Sequence, residues 1–533
     1  MRPTSKIVSW TTLLGATVVF AVAMEYKAPP ARQEDKTSAP FELGLNLSSV
    51  VYYSSELPFA DLFKLSQWVS QAPGKPWGQG GELDLDANGW VRKLAPGQMA
   101  QAMFCGDTGT YFAGKQLTCT FDGQGDVEFL VAVRTTSRGP GRLTGTVNVK
   151  GKGLIFVSIK RTDPHDPIRN LRLIQPGLED NKGLFSPAFL KRWSAFKVLR
   201  FMDWQKANNS PLVQWSDRAT PDYYSQATTK GVCPEYMVEL ANVQGADPWF
   251  CMPHRASDDF VRQFAALVKK QLEPSRKVYI EYSNECWNPA FQQMFYCQKQ
   301  GKDANLSTNA YEAQLRWYSQ RAVEVFKIWE KEFGGTKRLV RVLSAQAANP
   351  WTGVTVMGWK DAYKNADAIA IAPYFGSEFG TPASALKTVA TSVPKLLDGC
   401  RKSIQNMSRN TQIYAADAKK RGLRLIAYEG GQSLVGVEGE ENNAQLTALF
   451  QAANRAAAMK EVYLEDLKTW QECGGGLFCV FSSLGGPSKW GSWGILESEK
   501  QNPATAPKYQ AFQELLIKRS RPTKSGSASR GID

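Results

Sequence analysis

The feature that most constrains this chain is an alternation that begins near residue 168. Short apolar runs are separated there by long stretches of helical periodicity. The runs lie at residues 196–201, 249–252, 278–282, 339–343, 368–372, 423–428 and 477–481, and an upstream run at 41–47 supplies an eighth. In one spacer Tyr311, Leu315, Tyr318, Ala322, Val325 and Trp329 recur in alternating steps of four and three, which is one face of an amphipathic helix. In another, Ser257, Asp258 and Asp259 are helix-start residues ahead of Phe260, Phe264, Leu267 and Leu272. Strands that read as continuous apolar runs between helices belong to a parallel sheet covered on both faces. Eight such units fit a closed barrel better than an open doubly wound sheet. The expected fold class is therefore α/β, a (β/α)8 TIM barrel.

One segment breaks the pattern. Runs at 82–86, 126–133, 142–149 and 153–159 alternate with period two between turn residues, and no helical period intervenes. That predicts a small antiparallel β-sandwich inserted after the first barrel unit. The expected organisation is a first unit over 41–78, containing a helix near 59–69, the sandwich over 79–166, and the rest of the barrel over 167–517. A basic, Ser/Gly-rich tail follows at 518–533. In the sandwich Phe104, Tyr111 and Phe112 either pack the core or stack on a ligand.

Arg2 and Lys6 precede an apolar run over 7–24 that ends in Ala21-Val22-Ala23. This is the pattern of a secretory signal peptide, with an uncleaved membrane anchor as the alternative. Residues 25–40 read as a Pro/charged linker. The expected location is secreted, extracellular or periplasmic. Nine cysteines in an exported chain suggest disulfides, and sequence neighbours suggest Cys105–Cys119, Cys233–Cys251, Cys286–Cys297 and Cys473–Cys479, with Cys400 free. None of these has the two-residue spacing of a zinc site, and with only two histidines, His165 and His254, no metal centre and no cofactor are expected. The formal charge of +14 is spread along the chain without a recognition motif, so no nucleic-acid partner is expected either. A membrane partner is expected only through the N-terminal segment, for a chain acting as a monomer.

In a (β/α)8 barrel, chemistry collects at the C-terminal ends of the strands. The fourth apolar run ends in Asn284-Glu285-Cys286-Trp287-Asn288 and the seventh in Glu429-Gly430-Gly431. Each places a carboxylate at the end of a buried strand, where the charge must be paired or used. Strands four and seven face one another across the mouth of a barrel, and a carboxylate pair about 5–5.5 Å apart is what a retaining glycosidase needs. Asn-Glu ending strand four and Glu ending strand seven resemble the clan A glycoside hydrolases, the barrel superfamily that includes family 5. The resemblance covers 41–53 and 168–516 and leaves the sandwich unassigned. It implies Glu285 as acid/base and Glu429 as nucleophile, with Asn284 on the sugar 2-hydroxyl. It also implies Arg200 holding Glu429, Tyr374 orienting it, His254 after strand three, and Trp490 and Trp493 beneath the sugar. Asn46 after strand one, and Asp203 and Trp204 after strand two, are expected to line the cleft.

Two departures mark a distant branch. Cys286 stands where the clan often has proline, and the stretch after His254 lacks a clan signature. Each residue also has a structural reading. Glu281 is a competing carboxylate, although alternation puts it inside the strand, and Asp203 offers Arg200 an ion pair. A non-catalytic secreted carbohydrate-binding protein is the alternative to an O-glycosyl hydrolase. A serine hydrolase would need Gly-x-Ser-x-Gly, and Ser433 lacks the last glycine. The glycines at 139, 141 and 145 lie among β-runs at the wrong spacing for a dinucleotide fold.

Overall fold

The computed structural model describes residues 42–104, 109–148 and 153–520. Eight strands form a closed barrel: β1 (Leu43–Asn46), β2 (Val198–Arg200), β3 (Asp247–Met252), β4 (Val278–Tyr282), β5 (Leu339–Ser344), β6 (Ala368–Ile371), β7 (Arg424–Ala427) and β8 (Phe478–Phe481). All pair in parallel, and β1 pairs with both β2 and β8, which closes the sheet. Every expected apolar run becomes a strand. Each is apolar on both pleats because its inward residues fill the barrel and its outward residues meet the helices. Val198, Trp249, Cys251, Tyr279, Val340, Val342, Ala368, Ala370, Ile426 and Cys479 form the inner cluster, while Leu199, Phe250, Ile280, Leu343, Ile369, Leu425 and Val480 belong to the outer core. Gly44 is inward on β1, where a Cβ would lie 2.4 Å from Cys479 Sγ, so no larger residue fits that layer.

The helices start and stop where their caps dictate. The Asn309 side chain accepts from the Tyr311 and Glu312 amides to start Ala310–Phe333, and Gly334 at φ 76° ends it. Ser257 caps Asp258–Gln271 by accepting from Phe260 N–H. Helix Ala310–Phe333 precedes β5, so its first turn lies at the C-terminal mouth, beside the loops that carry the polar residues.

Between β1 and β2 the chain leaves the barrel to build two four-stranded antiparallel sheets. One has the order Gln67–Gln71, Met99–Phe104, Ile155–Thr162, Gly125–Val131, and the other Arg169–Leu173, Gln116–Asp122, Arg142–Val147, Val133–Gly139. The expected helix near 59–69 does not form. A 3-10 turn, Leu62–Leu65, leads instead into strand Gln67–Gln71, which pairs with Met99–Phe104. The segment's β-capable run is captured by a partner about thirty residues on, and the strands of the two antiparallel sheets run from Gln67 to Leu173. Phe104 and Phe112 are buried in the core, and Tyr111 packs against it with Lys500 5.1 Å from its ring centroid.

The expected disulfides are not present among the described residues, where eight cysteines are free and buried. The barrel wall explains two pairs. Cys251 and Cys479 face the interior, whereas Cys233 caps helix Pro234–Gln244 and Cys473 ends Met459–Glu472 on the outside. Cys286 and Cys297 meet as hydrogen-bonded thiols. Cys119 is a core residue of the sandwich, and Cys105 lies outside the described residues. The final helix, Pro507–Ser520, runs past the expected start of the tail at 518. The expected leader, linker and remaining tail lie outside the described residues, among which no helix is long and apolar enough to cross a membrane.

Candidate active site

The inward pleat of the barrel carries apolar residues until its upper layer, where Asn46, Arg200 and Glu281 replace them. Strand pairing aligns Asn46 with Arg200 and Cys251 with Glu281. Arg200 and Glu281 have no exposed surface. A buried guanidinium is costly unless its donors are matched; four acceptors match the two Nη groups, and Nε is buried without a partner. Nη1 donates to Glu429 Oε2 at 3.1 Å and to Asn46 Oδ1 at 3.1 Å. Nη2 donates to Glu281 Oε2 and to Asn284 Oδ1, both at 2.8 Å. The rings of Trp249 and Tyr428 flank it, with centroids 5.3 and 5.0 Å from its Cζ. Arg200 makes no ion pair with Asp203.

Glu429 follows β7 and is buried. Besides Arg200 it accepts from Tyr374 Oη at 3.1 Å, from the loop after β6. Glu285 follows β4 with φ 42°, and Ser283 before it has φ 60°. Two left-handed residues, one on each side of Asn284, are a strained way to leave a strand. Ser283 N–H donates to Met252 O and Asn288 N–H to Glu285 O, and these bonds hold the turn. It delivers the Glu285 carboxyl to two donors, Tyr428 Oη at 2.9 Å and Asn288 Nδ2 at 2.8 Å. Asn284 is anchored by Asn208, which also accepts from Gln293 at 2.7 Å.

Both carboxyls are pushed above the ordinary glutamate range, chiefly because burial penalises the charged form. For Glu429 repulsion from Glu285 adds to burial and Arg200 opposes it, leaving the group at about 8. The two titrate as a pair, so their midpoints belong to the pair. In the singly protonated state the guanidinium contact favours the charge on Glu429 and the proton on Glu285.

Nine of the eleven expected site residues converge here or on the adjoining loops. Asn46, Arg200, Asn284, Tyr374 and Glu429 form one hydrogen-bonded network, which Glu285 joins through Tyr428. Trp493 packs edge-on against Tyr374 at 5.8 Å and Phe481 at 5.7 Å, beside Glu429. Asp203 accepts from Ser49 and acts electrostatically on Glu429. Trp204 binds the β1 loop through Ser48 O at 3.1 Å and otherwise packs in the outer core, so its role there is to hold the loop. Two stand apart. His254 is buried against Tyr296, ring centroids 5.3 Å apart, with Nδ1 unpartnered, and burial with Arg255 nearby lowers it to about 4. Trp490 lies outward, under Lys489, and its carbonyl accepts from Trp493 Nε1 at 2.7 Å.

Tyr428, Asn288, Asn208 and Gln293 were not singled out in the sequence. Tyr428 was the findable one, an inward residue adjoining Glu429. Among the described residues no cluster of His, Cys, Asp and Glu has the geometry of a metal site.

No family model and no curated protein matches the chain. Solved structures with some likeness include a 4-O-α-L-rhamnosyl-β-D-glucuronidase from Fusarium oxysporum 12S (TM-score 0.40, 10% identity, 62% of this chain and 65% of that one). The chain thus spans less than two thirds of that protein's length. A GH5-4 broad-specificity endoglucanase from Clostridium longisporum has TM-score 0.36 and 11% identity over 65% of this chain and 89% of that one. A family 5 mannosidase from Rhizomucor miehei has TM-score 0.32 and 8% identity over 62% and 87%.

Proposed function

We propose that this chain is a retaining glycoside hydrolase that cleaves O-glycosidic bonds of a polysaccharide or oligosaccharide, a β-glycan by the resemblance of its motifs, through a two-glutamate double displacement. The observation that carries the reading is the pair of buried carboxyls at the ends of β4 and β7. They are held by different partners: Glu429 by Arg200 and Tyr374, Glu285 by Tyr428 and Asn288. A guanidinium beside one carboxyl and only neutral donors on the other distinguish the nucleophile from the acid.

Glu285 gives its proton to the glycosidic oxygen while Glu429 Oε attacks the anomeric carbon. The leaving sugar departs as the alcohol, and a glycosyl ester forms on Glu429. Glu285, now the carboxylate, takes a proton from water as that water attacks the same carbon, and Glu429 is released. Arg200 stabilises Glu429 whenever it is charged. Asn284, its Oδ1 fixed by Arg200 and its Nδ2 by Asn208, lies next to Glu285, where an amide contacts the 2-hydroxyl. Trp493 offers a ring face for a pyranose.

Purified protein should release reducing sugar from at least one member of a panel of β-glucans, mannans and xylans. Glu429→Gln should abolish release, and Glu285→Ala should reduce it on the order of 10²–10⁴-fold. Glycan binding without release by the wild type would favour the non-catalytic reading, and activity unchanged in both variants would overturn the mechanism.

A further inference from the structure

We propose that Glu281 is a positioning residue of this site, which holds Arg200 in place and, by its fixed charge, sets the proton balance of the Glu285–Glu429 pair. The inference rests on the catalytic reading above only for the kinetic part of its test.

The geometry singles Glu281 out. It is a carboxylate in the middle of a strand with no exposed surface, and every bond it makes ends on one oxygen. Oε2 accepts from Arg200 Nη2 at 2.8 Å, from Trp249 Nε1 at 3.0 Å and from Cys251 Sγ at 3.5 Å. Oε1 is buried without a partner. A residue kept only to satisfy Arg200 would present both oxygens to the guanidinium fork. Here the fork is opened, with one nitrogen on Glu281 and the other on Glu429. The single positive charge is therefore divided between a strand carboxylate and the carboxylate at the centre of the site.

The charged and titratable groups facing Glu281 are Arg200 from β2, Cys251 from β3, Tyr318 from helix Ala310–Phe333, Tyr428 after β7, Cys479 from β8, and Glu285 and Cys286 after its own strand. Arg200 is the one cation among them. Counting Glu429 on Nη1, the cluster carries three carboxyls against one guanidinium. With Glu281 and Glu429 charged and Glu285 protonated, a net charge of about −1 faces the anomeric carbon, where positive charge develops. Removing the Glu281 charge leaves that balance near zero. Each remaining carboxyl then ionises more readily, because one repulsion is gone and Arg200 is wholly available to Glu429.

The bonding pattern also supplies a clean probe. In Glu281→Gln the amide oxygen can occupy the Oε2 position and keep all three bonds. Its nitrogen takes the place of the oxygen that has none, so the charge is removed with the contacts retained. Two measurements compare it with wild type: the pH dependence of kcat/KM, and a carbon-13 NMR titration of the Glu285 and Glu429 carboxyls in the ligand-free protein. Both sets of midpoints should fall by roughly one pH unit, the effect of a nearby charge in a partly shielded site. Superimposable midpoints would overturn the proposal. If the wild type hydrolyses no glycan, the catalytic reading fails and the titration alone decides the electrostatic claim by the same criterion. If Glu281→Gln does not fold, Glu281→Asp takes its place. It keeps the charge but draws Arg200 back from Glu429, so midpoints should hold or rise rather than fall, while kcat falls about tenfold, the cost of a misplaced charged hydrogen bond. Midpoints that fall in that variant as they would on loss of the charge would overturn the proposal.

Discussion

Glu429 is held by a cation and a phenol, yet burial and the neighbouring Glu285 outweigh both, so the carboxyl pair keeps a proton up to about 8. That has a consequence for stability. A carboxyl whose folded value lies above its unfolded one favours the fold while protonated. Its contribution is complete below the unfolded value of about 4.3 and is lost as pH rises through about 8. The ligand-free protein should therefore lose thermal stability between about pH 5 and 8, and Glu429→Gln should lose less. The difference between their melting temperatures should widen with pH in scanning calorimetry, and parallel curves would contradict this origin. Tyr374→Phe deletes one hydrogen bond to the same carboxylate. It should lower kcat/KM about 10–100-fold with little change in melting temperature, as expected for a bond to a charged group.

At the scale of elements, the loop after β8 is tied down from several sides. Ser492 O accepts from Lys508 Nζ at 2.5 Å and from Gln432 Nε2 at 3.0 Å, while Trp493 O accepts from Ser482 N–H. Trp493→Ala should raise KM for an oligosaccharide about tenfold while changing kcat less, since a stacking face binds substrate and transition state alike. A fall in kcat alone would contradict that role. Strand β1 depends on the absent side chain of Gly44, and Gly44→Ala should cost about 1–3 kcal/mol in denaturant unfolding through overpacking against Cys479. All eight strands were legible because burial on both faces makes them continuous apolar runs. The stretch at 59–69 was not, since Gln67–Gln71 gains its strand identity only from Met99–Phe104, which no local pattern reveals.

Across the whole molecule, what the sequence concealed is which residues share a side of the barrel wall. Cys233 and Cys251 are near in sequence but lie outside and inside it, as do Cys473 and Cys479. Alkylation after denaturation without reductant should recover these four as thiols, and a disulfide between either pair would contradict the fold. The same geometry explains the site. Glu285, Glu429, Arg200 and Asn284 were legible because strand ends are marked by the last apolar residue. Tyr428, Asn288 and the Glu281 contact with Arg200 were not, because they depend on which pleat faces inward and how the turns close. The account stands on two glutamates acting on one anomeric carbon as nucleophile and acid. Proton NMR of the first sugar released from a substrate of defined anomeric configuration tests that most directly. Initial product of retained configuration, mutarotating later, is the predicted result, and initial product of inverted configuration would contradict it.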